Sequence, residues 1–440
     1  MRRSRLRDPL ERPQFRRLAT SYGVNELGDW MGIVALSVLV FDRTGSALAT
    51  SALFLGTRFL PALVAPVLVA RVERPPPRFA LPVIYCGEAA VFGALALLAG
   101  DSFSLAAVVV LATLDGALAL TGRALTRAVV AALLEPAGEL RSGNAVLNVA
   151  FTASAAIGPG FAGLIVAGFG VQTALLIDAA SFYAIACILF TAGTLPQAEP
   201  DPGGTGERIR AGIAYIREQA TLRRLLLAQG AAFVFFAAVI PIEVIYTKQT
   251  LGTGDSGYGL MLASWGVGML LGGIVFARAR RAPLPVLLFF STVAVGAGYL
   301  GLAAAPSLAA ACAASVLGGT GNGVQWVSAI SAVQELTVAG MQARVMSVLE
   351  SIGAAMPGVG YLLGGLIATA TSPRATFLLA GLGVLSIATL AVPVLGRKWP
   401  ESREKADGKS LDAEAEIMVE LIPVGVTPSA LARPKSEVVP

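Results

Sequence analysis

The sequence predicts an all-α membrane protein, with twelve transmembrane helices in two parallel six-helix halves. Three observations carry this. Hydrophobic residues make up 55% of the 440 and charged residues only 14%, against roughly 25% charged in an ordinary soluble chain. The mean hydropathy is +0.72 over the whole chain although both ends are polar. A water-soluble globule of this size has too little interior for that much apolar surface. Twelve apolar stretches, near 19–41, 48–70, 79–99, 104–123, 145–168, 171–194, 225–247, 258–277, 284–304, 307–334, 345–370 and 374–396, reach the roughly 20 residues that a 30 Å hydrocarbon core requires.

The third observation is an internal repeat. Phe15-Arg-Arg-Leu18 returns as Leu222-Arg-Arg-Leu225, an offset of 207. The same offset carries Ala70-Arg71 onto Ala277-Arg278, Arg74 onto Arg281, and Asp115-Gly116 onto Asn322-Gly323. Six spans separate the copies, an even number, so the halves run parallel.

Taken in order, the chain divides as follows. Residues 1–18 are a basic head with Arg2, Arg3, Arg5, Arg7, Arg12, Arg16 and Arg17. That head is too basic, and the following apolar run too long, for a cleaved signal peptide. Residues 19–194 form the first half. Residues 195–224 are a central loop that opens with Pro196, Pro200, Pro202, Gly203 and Gly204. The loop then reads as a short amphipathic helix with Ile209, Ile213 and Ile216 on one face. Residues 225–396 form the second half, and the polar, aperiodic segment 397–440 is expected to be a disordered tail.

Loop charge gives the orientation. With the N-terminus in the cytoplasm, Arg71, Arg74, Arg78, Arg123, Arg127, Arg141, Arg278, Arg281 and Arg344 fall on the cytoplasmic side. The opposite loops hold only Arg43, Lys248 and Arg374. This predicts a multi-pass protein of the cytoplasmic membrane with both termini inside.

Several function classes drop out. There is no histidine, which excludes His-based triads and His-ligated zinc. No cofactor or metal site is expected. Cys86, Cys187 and Cys312 lie in apolar stretches and read as buried small hydrophobes. The +5 net charge is distributed as membrane topology demands, so no nucleic-acid partner is expected. No GxxxxGK[ST] loop occurs, so ATP is not the energy source.

An ionisable group deep in a span is a functional suspect. Glu26, Asp29, Arg58, Glu88 and Asp115 are such groups in the first half, and the last four sit near the midplane. Tyr22, Glu26 and Asp29 share a helix face, with Asn25 beside them. The 207 offset maps Glu26 to Phe233, Asp29 to Phe236, Arg58 to Trp265 and Asp115 to Asn322. This asymmetry points to proton coupling in the first half, with Asp29 the first choice, and an aromatic wall in the second. A competing reading is that Asp29 and Arg58 only neutralise one another.

Tyr22, Asn25, Asn144, Asn148, Asn322, Gln325 and Trp326 are candidates for the substrate cavity, the last five with a packing role as the alternative. Glu243 is expected to face water, Glu350 to pair with Arg344, and Asp178 to be a packing residue.

The layout resembles the major facilitator superfamily. Ser154-x-x-x-Gly158-Pro159-Gly160-x-Ala162-Gly163 in the fifth span looks like that superfamily's antiporter motif. Asp178-Ala-Ala-Ser-Phe182, Ala211-Gly-Ile-Ala-Tyr215-Ile-Arg217, Leu114-Asp-Gly116 and Arg344-Val-Met-Ser-Val348 are similar to the subgroup that contains the enterobactin exporter. One departure stands out. Where the superfamily's loop between spans two and three has Asp, this chain has Ala70, and Ala277 in the second copy. Arg71, Arg74, Arg278 and Arg281 then serve as topology charges or grip helix ends and acidic lipid.

The resemblance implies a monomeric secondary transporter that exchanges protons for a small amphipathic molecule by alternating access. Glycines and Pro159 would let the fifth span pack and bend. An ion-coupled importer and a non-transporting scaffold or sensor are the alternatives. The sequence is silent on the substrate.

Overall fold

The structure is a computed structural model. It describes residues 9–64, 76–191, 195–196, 205–279 and 282–395, all of whose regular elements are helical. Arg71, Arg74 and Arg281, residues 197–204 of the central loop and the 397–440 tail lie outside these residues.

Twelve long helices and one short one follow in order. The first spans are α1 (Pro13–Thr44) and α2 (Ala47–Phe54), the latter continued by a π-helical turn, Leu55–Phe59. Next come α3 (Pro77–Leu98) and α4 (Leu105–Leu134). The helix Leu140–Phe190 breaks at Gly170, whose φ of 82° and ψ of 164° suit glycine alone. It therefore supplies two spans, α5 (140–169) and α6 (171–190). The short α7 (Thr205–Glu218) precedes α8 (Ala220–Val239), which runs on through a second π-helical turn, Tyr246–Thr250. The last spans are α9 (Asp255–Arg278), α10 (Leu284–Ala304), α11 (Leu308–Glu335), α12 (Gln342–Ala370) and α13 (Pro373–Leu395).

Chemistry at the helix ends explains the boundaries. Ser46, Ser104 and Ser307 each accept a hydrogen bond from the backbone N–H three residues on, which satisfies a donor the helix leaves open. Proline opens α1, α3 and α13, where its missing N–H costs nothing. The start of α1 is tied down at Arg12, which makes two hydrogen bonds to Glu139, at 2.8 and 3.2 Å. Arg17 donates to the Thr191 carbonyl at the end of α6.

The three basic residues that break the charge rule all have partners. Arg43 donates to the carbonyls of Ala99 and Gly100 at the end of α3. Arg374 does the same for Ala303 and Ala305 at the end of α10. Both therefore meet the negative end of a helix dipole. Lys248 reaches Asp42 at 2.5 Å and Asp255 at 2.7 Å. It thus links α1, in the first six helices, to α9, in the last six.

Small residues let the two sets of six helices touch at the end remote from the termini. A Cβ added to Gly163 of α5 would lie 2.9 Å from the Asp255 carbonyl and from Gly259 Cα of α9. Gly160 faces Ala263, and Gly365 of α12 packs on Ser51 of α2. Phe54 and Tyr361 meet across the same seam, with ring centroids 5.6 Å apart and planes tilted by 37°.

Four sequence expectations need correction. Cys86 and Cys187 are exposed on the outside of their helices, and Cys312 is half-buried. An apolar stretch signals burial in lipid as readily as burial in protein. Glu243 does not face water: it is only 8% exposed, packed near Tyr258 and Tyr299. On α7, Ile209 and Ile216 pack inward while Ile213 is 38% exposed. Gly212 takes the place of Ile213, approaching the Arg344 backbone too closely for any side chain. Finally, Arg344 points a guanidinium nitrogen at the Met341 sulfur, 3.4 Å away, rather than at Glu350, which is exposed.

Candidate functional site

The buried face of α1 is built as its spacing predicts. Tyr22, Asn25 and Glu26 are 3%, 1% and 2% exposed. Glycines 28 and 32, one turn apart on α1, leave room for Asp178 of α6, whose carboxylate closes on them. Glu88 of α3 is fully enclosed, and neither of its oxygens has a hydrogen-bond partner among the described residues. Asp115 of α4 is partly buried, with one oxygen enclosed and unpartnered.

The centre of this group is Arg123. The charge pattern places it on the cytoplasmic side, at the end of the fourth apolar stretch. In fact α4 continues eleven residues further to Leu134, and Arg123 points inward. Its Nη1 lies 2.6 Å from Asp29 Oδ2 and 4.0 Å from Glu26 Oε1. Glu88 also acts on it electrostatically. The expected Asp29–Arg58 pair is therefore not formed. Arg58 sits on the π-helical turn of α2, exposed, and makes no ion pair among the described residues. It influences Glu26 and Asp115 from a distance. Four carboxyls, Glu26, Asp29, Glu88 and Asp115, thus converge from α1, α3 and α4 on one guanidinium, and a fifth, Asp178 of α6, stands next to Asp29 and Asp115.

A cavity of about 350 Å³ lies beside this cluster. The sequence candidates Asn148, Asn322, Gln325 and Trp326 line it; Tyr22, Asn25 and the exposed Asn144 do not. Arg127, which loop charge places among the cytoplasmic residues, lines it as well, as do Phe151, Gln229 and Met269, which the sequence does not single out. Gln325 donates to Thr292 Oγ1 at 3.2 Å. The aromatic residues fall in two groups. Phe233 lies 6.2 Å from Trp326, Phe236 lies 6.0 Å from Trp265, and Trp265 stacks on Tyr299 at 5.4 Å.

The 207 offset acquires a spatial meaning here. It maps Tyr22, Asn25, Glu26, Asp29, Glu88 and Asp115 onto Gln229, Ala232, Phe233, Phe236, Val295 and Asn322. All six of those partners line the cavity. The surface that holds charge in one set of helices holds the cavity wall in the other. Gln229 was within reach of the sequence, since the offset pairs it with Tyr22.

The antiporter-like segment of α5 uses two faces. Ser154 Oγ approaches the Gly23 carbonyl at 3.5 Å, and Gly158 packs on Trp30, both on α1. The Pro159 carbonyl, Gly160 and Gly163 instead pack on α9. Pro159 is held within the helix, and the departure from helical dihedrals comes at Gly170. Arg278, one of the loop charges, is exposed at the end of α9.

Residues 6–421 match the family described as transmembrane secretion effectors. The chain belongs to that family. Transmembrane secretion effectors are major facilitator transporters and not enzymes. Among relatives, the multidrug efflux pump Tap of Mycolicibacterium fortuitum is 26% identical over 83% of this chain and 91% of its own. The uncharacterized transporter YfiS of Bacillus subtilis is 26% identical over 91% of this chain and 99% of its own. Crystal structures with the same fold include the nucleoside transporter NupG (TM-score 0.67, 14% identity, 88% of this chain and 100% of that one). Another is an inward-facing bacterial homologue of ferroportin (TM-score 0.69, 15% identity, 87% and 99%). Within this secretion effector, the arrangement offers a cavity for a small molecule and, behind it, a set of carboxyls able to hold protons.

Proposed function

We propose that this secretion effector exports small amphipathic molecules in exchange for protons, by alternating access, from a cytoplasmic membrane in which both termini face the cytoplasm. The observation that carries the reading is the carboxyl cluster packed against the cavity. A bare carboxylate enclosed without a donor is costly to bury, whereas a protonated acid is not. Within the cluster Asp29 has Arg123, Glu26 has Tyr22 and Asp178 has Ser181, whereas no described donor meets Glu88 or the enclosed oxygen of Asp115, and we assign the exchanged proton to these two rather than to Asp29. Asp29 is occupied by Arg123, and moving that guanidinium between Asp29 and its acidic neighbours would couple proton binding to helix movement. The efflux names of the mycobacterial relatives support the outward direction. In this scheme residues 19–194 and 225–396 rock as two bodies about the 195–224 linker, and one chain suffices.

Everted vesicles test the reading. Energised vesicles that contain the protein should accumulate members of an amphipathic compound panel beyond control vesicles. A protonophore should abolish that accumulation. Asp115→Asn should abolish driven accumulation and retain exchange of substrate down its own gradient. Accumulation that ignores the protonophore would remove proton coupling. For topology, a single cysteine at Gly204, in a chain lacking Cys86, Cys187 and Cys312, should resist an impermeant thiol reagent in intact cells. Labelling there from outside would reverse the orientation.

A further inference from the structure

Arg123 and Arg127 lie one turn apart on the same face of α4, and their surroundings differ. Arg123 is held by Asp29 and stands beside Glu26. Arg127 is exposed and lines the cavity, and its described side-chain partner is the Tyr22 hydroxyl. Among the described residues, no Asp or Glu lines the cavity. Its other polar groups, Asn148, Gln229, Asn322 and Gln325, are neutral amides. The acidic cluster is therefore turned toward Arg123, and the cavity itself presents a positive charge.

We infer that the exported molecule carries an anionic group next to a planar aromatic ring, with Arg127 receiving the anion and the Phe233–Trp326 wall receiving the ring. This names the cargo of the transport reading and rests on it. A guanidinium binds carboxylate or sulfonate oxygens with paired, charge-assisted hydrogen bonds, and does so more strongly where water is scarce. A cation in the same place would meet Arg127 as a like charge, with no carboxylate lining the wall to offset it. Trp326 is 47% exposed, a large apolar face left open inside the protein and backed by Phe233. A ring that stacks there covers it at little entropic cost. At about 350 Å³ the cavity is near the lower end of ligand pockets, roughly 300–1,000 Å³, which favours a molecule of one or two rings.

The probes are 1-naphthalenesulfonate, its cationic counterpart 1-naphthylmethylammonium, and methanesulfonate as an anion without a ring. Each is titrated by calorimetry into the full-length protein in zwitterionic nanodiscs, at one pH and without a gradient. The naphthalenesulfonate should bind at least about tenfold more tightly than either of the others. Arg127→Gln should lose about tenfold on the naphthalenesulfonate and nothing on the cation, and Arg127→Lys should keep part of the preference. Size-exclusion profiles establish that both variants are folded. Equal binding of the two naphthyl probes, an unchanged preference in Arg127→Gln, or no binding of the sulfonate would each overturn the inference. Methanesulfonate binding as tightly as its ring-bearing analogue would do so too, and would indicate a simple anion site open to lipid phosphate. Calorimetry reads binding and vesicle flux reads transport, so either proposal can fail alone. A sulfonate preference without protonophore-sensitive accumulation would remove proton-driven export and leave Arg127 and the aromatic wall as a binding site for an anionic aromatic molecule.

Discussion

Arg123 Nη1 lies 2.6 Å from Asp29 Oδ2 and 4.0 Å from Glu26 Oε1, so one guanidinium of α4 holds two carboxyls of α1. The two helices that contribute most of the ionisable cluster are therefore joined by charge as well as by packing. Both partners keep some exposure, with side chains 21% and 15% accessible for Arg123 and Asp29, which tempers the energy at stake.

Removing the guanidinium should cost more than removing its partner. Arg123→Gln leaves Asp29 and Glu26 facing one another, whereas Asp29→Asn leaves Arg123 with Glu26. We expect Arg123→Gln to destabilise by about 2–4 kcal/mol, somewhat less than a fully buried pair, and Asp29→Asn by about half of that. The double variant should recover part of the loss. Thermal unfolding in detergent, followed by size-exclusion, gives the ranking, and equal melting points for all three would dissolve the pair's structural role.

At the far end, Lys248 bridges Asp42 and Asp255. The groups are partly exposed, so the latch is worth little as stability and is better placed to bias which side of the cavity opens. Ser51 is 1% exposed beneath the seam. A cysteine at Ser51, with the native cysteines removed, should resist a thiol reagent and react several-fold faster when Lys248→Ala is added. High salt should mimic the substitution in part. An unchanged labelling rate would make the latch incidental.

Three glycines of the same helical stretch should behave differently. Gly163→Leu drives a side chain into the α9 backbone and should hold the two sets of helices apart at that end, abolishing transport with near-normal expression. Gly158→Leu meets Trp30 within the first six helices, with Trp30 Cβ at 2.9 Å from the added Cβ, and should lower expression and melting temperature instead. Gly168→Ala meets nothing within 4 Å and should be neutral in both assays. If Gly163→Leu transports normally, the close α5–α9 contact is not part of the cycle.

Hydropathy made the twelve spans legible because length and apolarity are local properties. The repeat is legible because seven identical residues, from Arg16 and Arg223 to Gly116 and Gly323, keep one register. What hydropathy concealed was charge inside a span. Arg123 and Arg127 read as a loop edge, although Val129, Val130 and Leu134 behind them are fully buried. A guanidinium surrounded by carboxyls is soluble in the protein without leaving a trace in the apolar average. Arg58 was matched to Asp29 by depth alone, and depth says nothing about which way a residue on a π-helical turn points. Nearness to a span end suggests water for Glu243, whereas the helical path continues beyond α8 through Ile240–Ile242 and Glu243–Ile245 and keeps Glu243 within the packed bundle. The cavity polar groups divided along the same line. Asn148, Asn322 and Gln325 were visible as amides at depth, and Gln229 only through its repeat partner.

The most direct test of proton exchange uses the purified protein in proteoliposomes, with a compound found in the vesicle panel and an imposed pH difference. An acidic lumen should drive accumulation of the compound inside as protons leave, and reversal of the gradient should drive it out. Glu88→Gln and Asp115→Asn should each flatten both responses. Accumulation into an alkaline lumen, or uptake indifferent to the gradient, would contradict the exchange of protons for substrate.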